Sequence, residues 1–94
     1  MESARCRAFV AAAETGSFSE AAKKLNYTPS GVSQLVTALE QDLGFSLLIR
    51  SRKGVKLTSD GVRMMPPVRE FLMQEDRIYQ TAGEIKGVLA GTIN

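Results

Sequence analysis

Ser30, Ser33, Gln34, Thr37 and Gln41 recur at three- and four-residue spacing, so a helix would carry them along one side. None is charged and all form hydrogen bonds. Glutamine pairs bidentately with adenine, and serine and threonine hydroxyls serve bases or phosphates. An ordinary exposed helix face favours Lys and Glu, which are better helix formers. A neutral face of Ser, Gln and Thr therefore gives up propensity for hydrogen-bonding capacity. Close behind, Arg50, Arg52, Lys53 and Lys56 share a short segment that contains no acid. Alone, such a cluster reads as a solvated loop; beside a base-reading helix it reads as phosphate contacts.

The elements that must hold these groups are legible in the apolar spacing. Phe18, Ala21, Ala22 and Leu25 keep helical periodicity, and Val32, Val36, Leu39 and Leu43 repeat it after the break Asn26-Tyr27-Thr28-Pro29. Two helices this short cannot form a core alone. Across residues 18–37 they read as a helix-turn-helix, with small Ala21 and Ala22 allowing close packing. Ser17 and Glu20 form an S-x-x-E capping box for the first of the pair. Asn26 ends that helix, Thr28 caps the next with Pro29 in its first position, and Gly44 ends it. Amide hydrogens near Thr28 to Gly31 are offered to a phosphate, and Gly31 permits close backbone approach. Tyr27 is expected between the helices. An earlier helix should run from Glu2 to Glu14 with Cys6, Phe9, Val10 and Ala13 inward, stopped by Gly16.

After Gly44, Leu47-Leu48-Ile49 and Val55-Lys56-Leu57 are β-prone runs around Ser51-Arg52-Lys53-Gly54. They predict a hairpin with a basic tip, the wing of a winged helix. Thr58 then caps a long helix carrying Asp60 in its first turn. Met64, Phe71, Ile78 and Ile85 recur every seven residues, with Val68, Ala82 and Leu89 four residues after three of them, and Leu72 and Tyr79 widening the stripe. A helix from Ser59 to Val88 would be roughly 45 Å long at 1.5 Å per residue. It would overhang so small a domain, and a second copy of the chain is the simplest cover for its stripe. Pro66 and Pro67 fall inside it and predict a bend, or a division into two helices.

Composition narrows the function classes. Ninety-four residues suffice for one domain, and 44% hydrophobic content allows a modest core and argues against disorder. The net charge of +2 is too small to indicate a nucleic-acid partner by itself. With no histidine and a single cysteine, Cys6, the chain has neither an internal disulfide nor a His/Cys zinc cluster. Cys6 reads as a buried structural thiol. No phosphate-binding loop or cysteine–base pair is present, so no catalytic constellation emerges and an enzyme is not expected. With no signal peptide or spanning run, the chain is expected in the cytoplasm and not in a membrane.

Gly16-Ser17-Phe18-Ser19-Glu20-Ala21-Ala22, then Thr28-Pro29-Ser30-Gly31-Val32-Ser33-Gln34 and Leu39-Glu40-x-x-Leu43-Gly44, resemble the LysR-type transcriptional regulators. Leu47-Leu48-x-Arg50 and Val55-x-Leu57-Thr58-x-x-Gly61 continue the likeness through the wing. The resemblance implies a mainly α winged helix-turn-helix over residues 1–58, a dimerising linker helix over 59–88, and the start of a missing effector-binding domain at 89–94. Gly91-Thr92-Ile93-Asn94 resembles that junction, so the chain looks like a truncated regulator. By position, Pro29, Ser30, Ser33, Gln34 and Thr37 fall where the family touches bases or nearby phosphates, and Arg50, Arg52 and Lys53 where its wing meets the DNA backbone. Pro29-Ser30 stands where Gln-Pro is common, and Gln34, Thr37 and Ala38 where basic residues are frequent. Base preference therefore does not transfer.

The expected function is sequence-specific operator binding as a homodimer on an inverted repeat. The expected dimer residues are Met64, Val68, Phe71, Leu72, Ile78, Tyr79, Ala82 and Ile85. The resemblance allows tetramers of the full-length protein and RNA polymerase as a further partner. It implies no cofactor in this fragment and a small-molecule effector in the missing domain. The rival reading, a winged helix used for protein contact, predicts an apolar or acidic third-helix face.

Overall fold

The computed structural model describes residues 2–87. Val88, the last residue of the expected long helix, and residues 89–94, expected to begin a further domain, lie outside them. The order of elements is α1 (Ser3–Thr15), α2 (Phe18–Leu25), α3 (Pro29–Leu43), β1 (Leu48–Ser51), β2 (Gly54–Leu57) and α4 (Ser59–Lys86).

Local chemistry sets the boundaries. Ser17 Oγ accepts from the Glu20 amide, Thr28 Oγ1 from Gly31 and Thr58 Oγ1 from Gly61, so three helices begin on hydroxyl caps. Only half of the expected capping box forms. The Ser17 amide donates to Thr15 Oγ1 at 3.3 Å, and the Glu20 carboxylate turns to Lys23. Asn26 closes α2 in the left-handed conformation at φ 64°, which its short polar side chain tolerates.

The core is built from Phe9, Val32, Val36, Leu39, Leu47 and Val68, each essentially buried. Burying one such side chain is worth about 1.5–3 kcal/mol. Helix α1 lies at its centre, touching α2, α3, α4 and β2. That position corrects the single inward stripe expected for α1. Cys6 and Phe9 are buried as expected, but Ala8, Ala11 and Ala12 are buried as well, while Val10 and Ala13 are only partly covered. A helix packed on several sides needs small residues around its girth, and alanines carry little hydrophobic signal. Tyr27 is a second correction. It is 47% exposed, because buried Ala21 and Ala22 bring the helices too close to admit a ring.

The wing is a two-stranded antiparallel sheet, registered Leu48↔Leu57 through Ser51↔Gly54, with Arg52 and Lys53 at its turn. Leu47 precedes β1 and serves as a core residue. The Val55 amide donates to the Gly16 carbonyl at 3.0 Å, fastening the wing to the α1–α2 turn. Gly54 is required there, since its φ is 122° and a Cβ would stand 2.5 Å from that carbonyl oxygen. Thr58 fixes the other end, donating its amide to Leu47 O at 2.9 Å and its hydroxyl to Ser46 O at 2.8 Å.

Helix α4 runs unbroken through Pro66 and Pro67, which settles against a division into two helices. Its first half packs on the domain through Gly61, Met65 and Val68. Ion pairs from Arg7 to Glu75 and Asp76, and from Glu14 to Arg69, tie it to α1. The architecture is mainly α, a helix-turn-helix with a two-stranded wing followed by a long helix.

Candidate nucleic-acid interface

Helix α3 presents the expected polar face because Val32, Val36 and Leu39 anchor its opposite side in the core. Ser30, Gln34 and Gln41 are exposed, while Ser33 and Thr37 are half-buried where the wing approaches. Thr28 and Pro29 are exposed at the N-terminus. The Gly31 amide is already engaged by Thr28 Oγ1 at 3.1 Å, which takes it from the set of amides expected to face a phosphate. No residue of this face is acidic or large and apolar.

The four basic residues of the wing do not behave alike. Arg52, Lys53 and Lys56 are exposed at and beside the turn. Arg50 instead folds back onto α3. Its Nη1 donates to Ser33 Oγ at 2.7 Å and its Nη2 to Thr37 Oγ1 at 2.9 Å, with Glu40 Oε1 at 3.4 Å. The guanidinium also lies over the Phe18 ring, 4.9 Å from its centroid, a geometry in which cation–π attraction contributes. The wing supplies most of the interface's positive charge and the α3 face stays neutral, but Arg50 joins the two.

Glu40 is the residue that sequence reasoning missed. Its Oε2 accepts from the Leu47 and Leu48 amides at 2.7 and 3.2 Å, so one carboxylate holds both the start of β1 and the Arg50 head group. Glu40 is one of two acids on the third helix, with Asp42, and lies four residues before Gly44 and ten before Arg50. Nothing local distinguishes it from a solvated glutamate.

The expected dimer stripe on α4 divides in two. Val68 is 2% exposed and belongs to the domain's own core, and Met64 and Leu72 pack partly against it. This corrects the expectation of Val68 as an open interface residue: the first half of α4 packs on the domain, where α1 contacts it, and that part of the stripe is already covered. Ile78, Tyr79 and Ile85 are 67%, 73% and 82% exposed, and Phe71 and Ala82 are exposed with them. Among the described residues, no group of His, Cys, Asp or Glu is placed to hold a metal ion, and no helix is long and apolar enough to cross a membrane.

A helix-turn-helix whose second helix offers neutral hydrogen-bonding groups beside a basic two-stranded wing defines a winged-helix DNA-binding protein. Comparison with known proteins narrows this. The family described as "Bacterial regulatory helix-turn-helix protein, lysR family" matches residues 4–62, and the chain belongs to that family. It is 39% identical over 89 residues to the uncharacterized HTH-type transcriptional regulator YvbU of Bacillus subtilis, covering 94% of this chain and 30% of YvbU. It is 44% identical over 75 residues to the HTH-type transcriptional activator AmpR of Yersinia enterocolitica, covering 80% of this chain and 24% of AmpR. The chain thus spans under a third of the length of these two relatives. Among solved structures, the CbnR DNA-binding domain in complex with DNA superposes with a TM-score of 0.84 at 32% identity, over 92% of this chain and 99% of that one. The BenM DNA-binding domain with catB site 1 DNA gives 0.84 at 32% identity, over 92% and 97%.

Proposed function

We infer that this chain reads an operator as part of a transcriptional regulator, inserting α3 into a major groove while the wing contacts the DNA backbone beside it. The observation that carries the reading is the face of α3. Ser30, Ser33, Gln34 and Thr37 stand outward from a buried Val32–Val36–Leu39 anchor, beside an acid-free hairpin tip. Gln34 is the leading candidate for base contact, with Pro29, Ser30, Ser33 and Thr37 around it and Thr28 and Gly31 shaping the helix N-terminus. Arg52 and Lys53 are the candidates for phosphate attraction. The DNA-bound CbnR and BenM domains support this reading by their likeness. The protein-contact alternative is disfavoured, since the α3 face is neither apolar nor acidic.

In the same proposal two copies associate through the outer part of α4, by Phe71, Ile78, Tyr79, Ala82 and Ile85, and so favour an inverted-repeat site. The working division is a winged helix over residues 1–58 and a dimerising helix over 59–88, in a cytoplasmic protein without enzymatic activity. Effector sensing, tetramer formation and RNA polymerase contact would belong to the whole protein. Selection of this chain on a pool of random duplexes tests the reading. Enrichment of an inverted repeat is expected, and a pool that stays unenriched overturns it.

A further inference from the structure

We propose that Arg50 is a positioning residue for specificity: it fixes Ser33 and Thr37 as hydrogen-bond donors toward acceptor atoms on base edges. This rests on the DNA-reading assignment above and adds a direction to it. A hydroxyl has one O–H and two lone pairs, whereas a guanidinium has donors only. At 2.7 Å from Ser33 Oγ and 2.9 Å from Thr37 Oγ1, Arg50 must donate to both oxygens. Each hydroxyl then has one of its two lone pairs committed inward. Accepting from a cation polarises its O–H, which strengthens the proton as an outward donor and weakens the remaining lone pair as an acceptor. An unrestrained serine or threonine reads donors and acceptors alike. Ser33 and Thr37 held in this way favour the acceptors of the major groove, which are purine N7, guanine O6 and thymine O4, over the amino groups of cytosine and adenine.

The arrangement around Arg50 suits this role. Glu40 Oε1 lies 3.4 Å from Nη2, the Phe18 ring lies beneath the guanidinium, and Glu40 is itself fastened to the Leu47 and Leu48 amides. The planar fork is therefore held from several sides. Lysine would keep the charge but lacks two parallel donors spaced to meet hydroxyls one helical turn apart.

The test uses the duplex enriched in the selection, with every single base-pair substitution, and measures binding of the wild-type chain, Arg50→Lys, Ser33→Ala, Thr37→Val and the combined Arg50→Lys/Ser33→Ala chain. Arg50→Lys is expected to keep the salt dependence of binding while discrimination at one or two base pairs falls by about three- to tenfold, the worth of one net hydrogen bond. Those base pairs should be the ones affected by Ser33→Ala or Thr37→Val. Adding Arg50→Lys to Ser33→Ala should then change the Ser33 base pair no further. Removing one of the acceptors at that pair (purine N7, guanine O6 or thymine O4, each replaced in turn by a group that cannot accept) should weaken the wild-type chain but not Arg50→Lys. Melting curves establish that each variant folds; if Arg50→Lys does not, the hydroxyl variants and the acceptor replacements decide. Unchanged base preferences in Arg50→Lys, loss at base pairs unrelated to Ser33 and Thr37, or indifference of the wild-type chain to removal of each of the N7, O6 and O4 acceptors at that pair would each overturn the proposal. A wild-type chain that prefers no duplex would instead overturn the DNA-reading assignment, and this proposal with it.

Discussion

Gly61 lies so close to Leu47 that a Cβ on it would stand 2.1 Å from the Leu47 carbonyl oxygen. The same carbonyl accepts the Thr58 amide at 2.9 Å, so the start of α4 is pressed against the residue that leads into the wing. Only a residue without a side chain allows this approach. Gly61→Ala must push backbone apart, and a loss of about 1–3 kcal/mol is expected in urea unfolding, the usual cost of overpacking. Wild-type stability in that variant would show that α4 can shift without strain.

Glu40 gives a second prediction. Its carboxylate serves two backbone amides and Arg50 at once. Glu40→Ala leaves those amides without their partner and should cost about 1–3 kcal/mol. Glu40→Gln keeps one carbonyl oxygen and should lose less. Thermal melts of the two variants measure the order, and equal losses would remove the hydrogen bonds as the cause.

The clasp between α1 and α4 makes a prediction about acid. Hydrogen bonds from Ser3 and then Arg7 hold the Glu75 carboxyl below its ordinary value of 4.5. A group with a lowered folded pKa contributes stability that is fully present above its unfolded value. The contribution is lost as pH falls from about 4.5 through the lower folded value. Stability followed by urea unfolding between neutral and acid pH should therefore decline more steeply in the wild type than in Glu75→Gln. Parallel curves would show that Glu75 does not couple folding to protons.

Two residues of the α4 stripe should respond in opposite ways. Val68→Ala removes packing from the domain core and should lower stability by about 1–3 kcal/mol without changing assembly. Ile78→Glu places a charge on an exposed apolar face. It should shift the chain toward monomer in sedimentation and remove the concentration dependence of the melt that self-association imposes. An unaltered sedimentation profile would locate self-association elsewhere.

The fold was readable where local chemistry decides it. Ser17, Thr28 and Thr58 are hydroxyls ahead of apolar periodicity, and Asn26 and Gly44 can take left-handed backbone. Caps of this kind act within a few residues, so the string alone reveals them. The polar α3 face was equally legible, because its partner Val32–Val36–Leu39 lies on the same helix. Contacts between distant segments were not. Arg50 meets Ser33 across 17 residues and Arg7 meets Glu75 across 68. The girth of α1 and the division of the α4 stripe depend on which elements arrive beside them. Periodicity reports that a face is apolar, not what covers it. Val68 and Ile78 share the apolar stripe, and only the packing of the domain on the first half of α4 separates them.

The central claim, that the wing attracts phosphates while α3 chooses bases, is tested most directly by the salt dependence of binding to the selected duplex. We predict a linear fall of log affinity with log salt, and a slope reduced by roughly 2–3 units when Arg52, Lys53 and Lys56 are all changed to Ala, with the base preference retained. Gln34→Ala should do the reverse, keeping the slope while losing about 1–3 kcal/mol of discrimination at one base pair. Binding indifferent to salt, or an undiminished slope in the triple variant, would contradict the account.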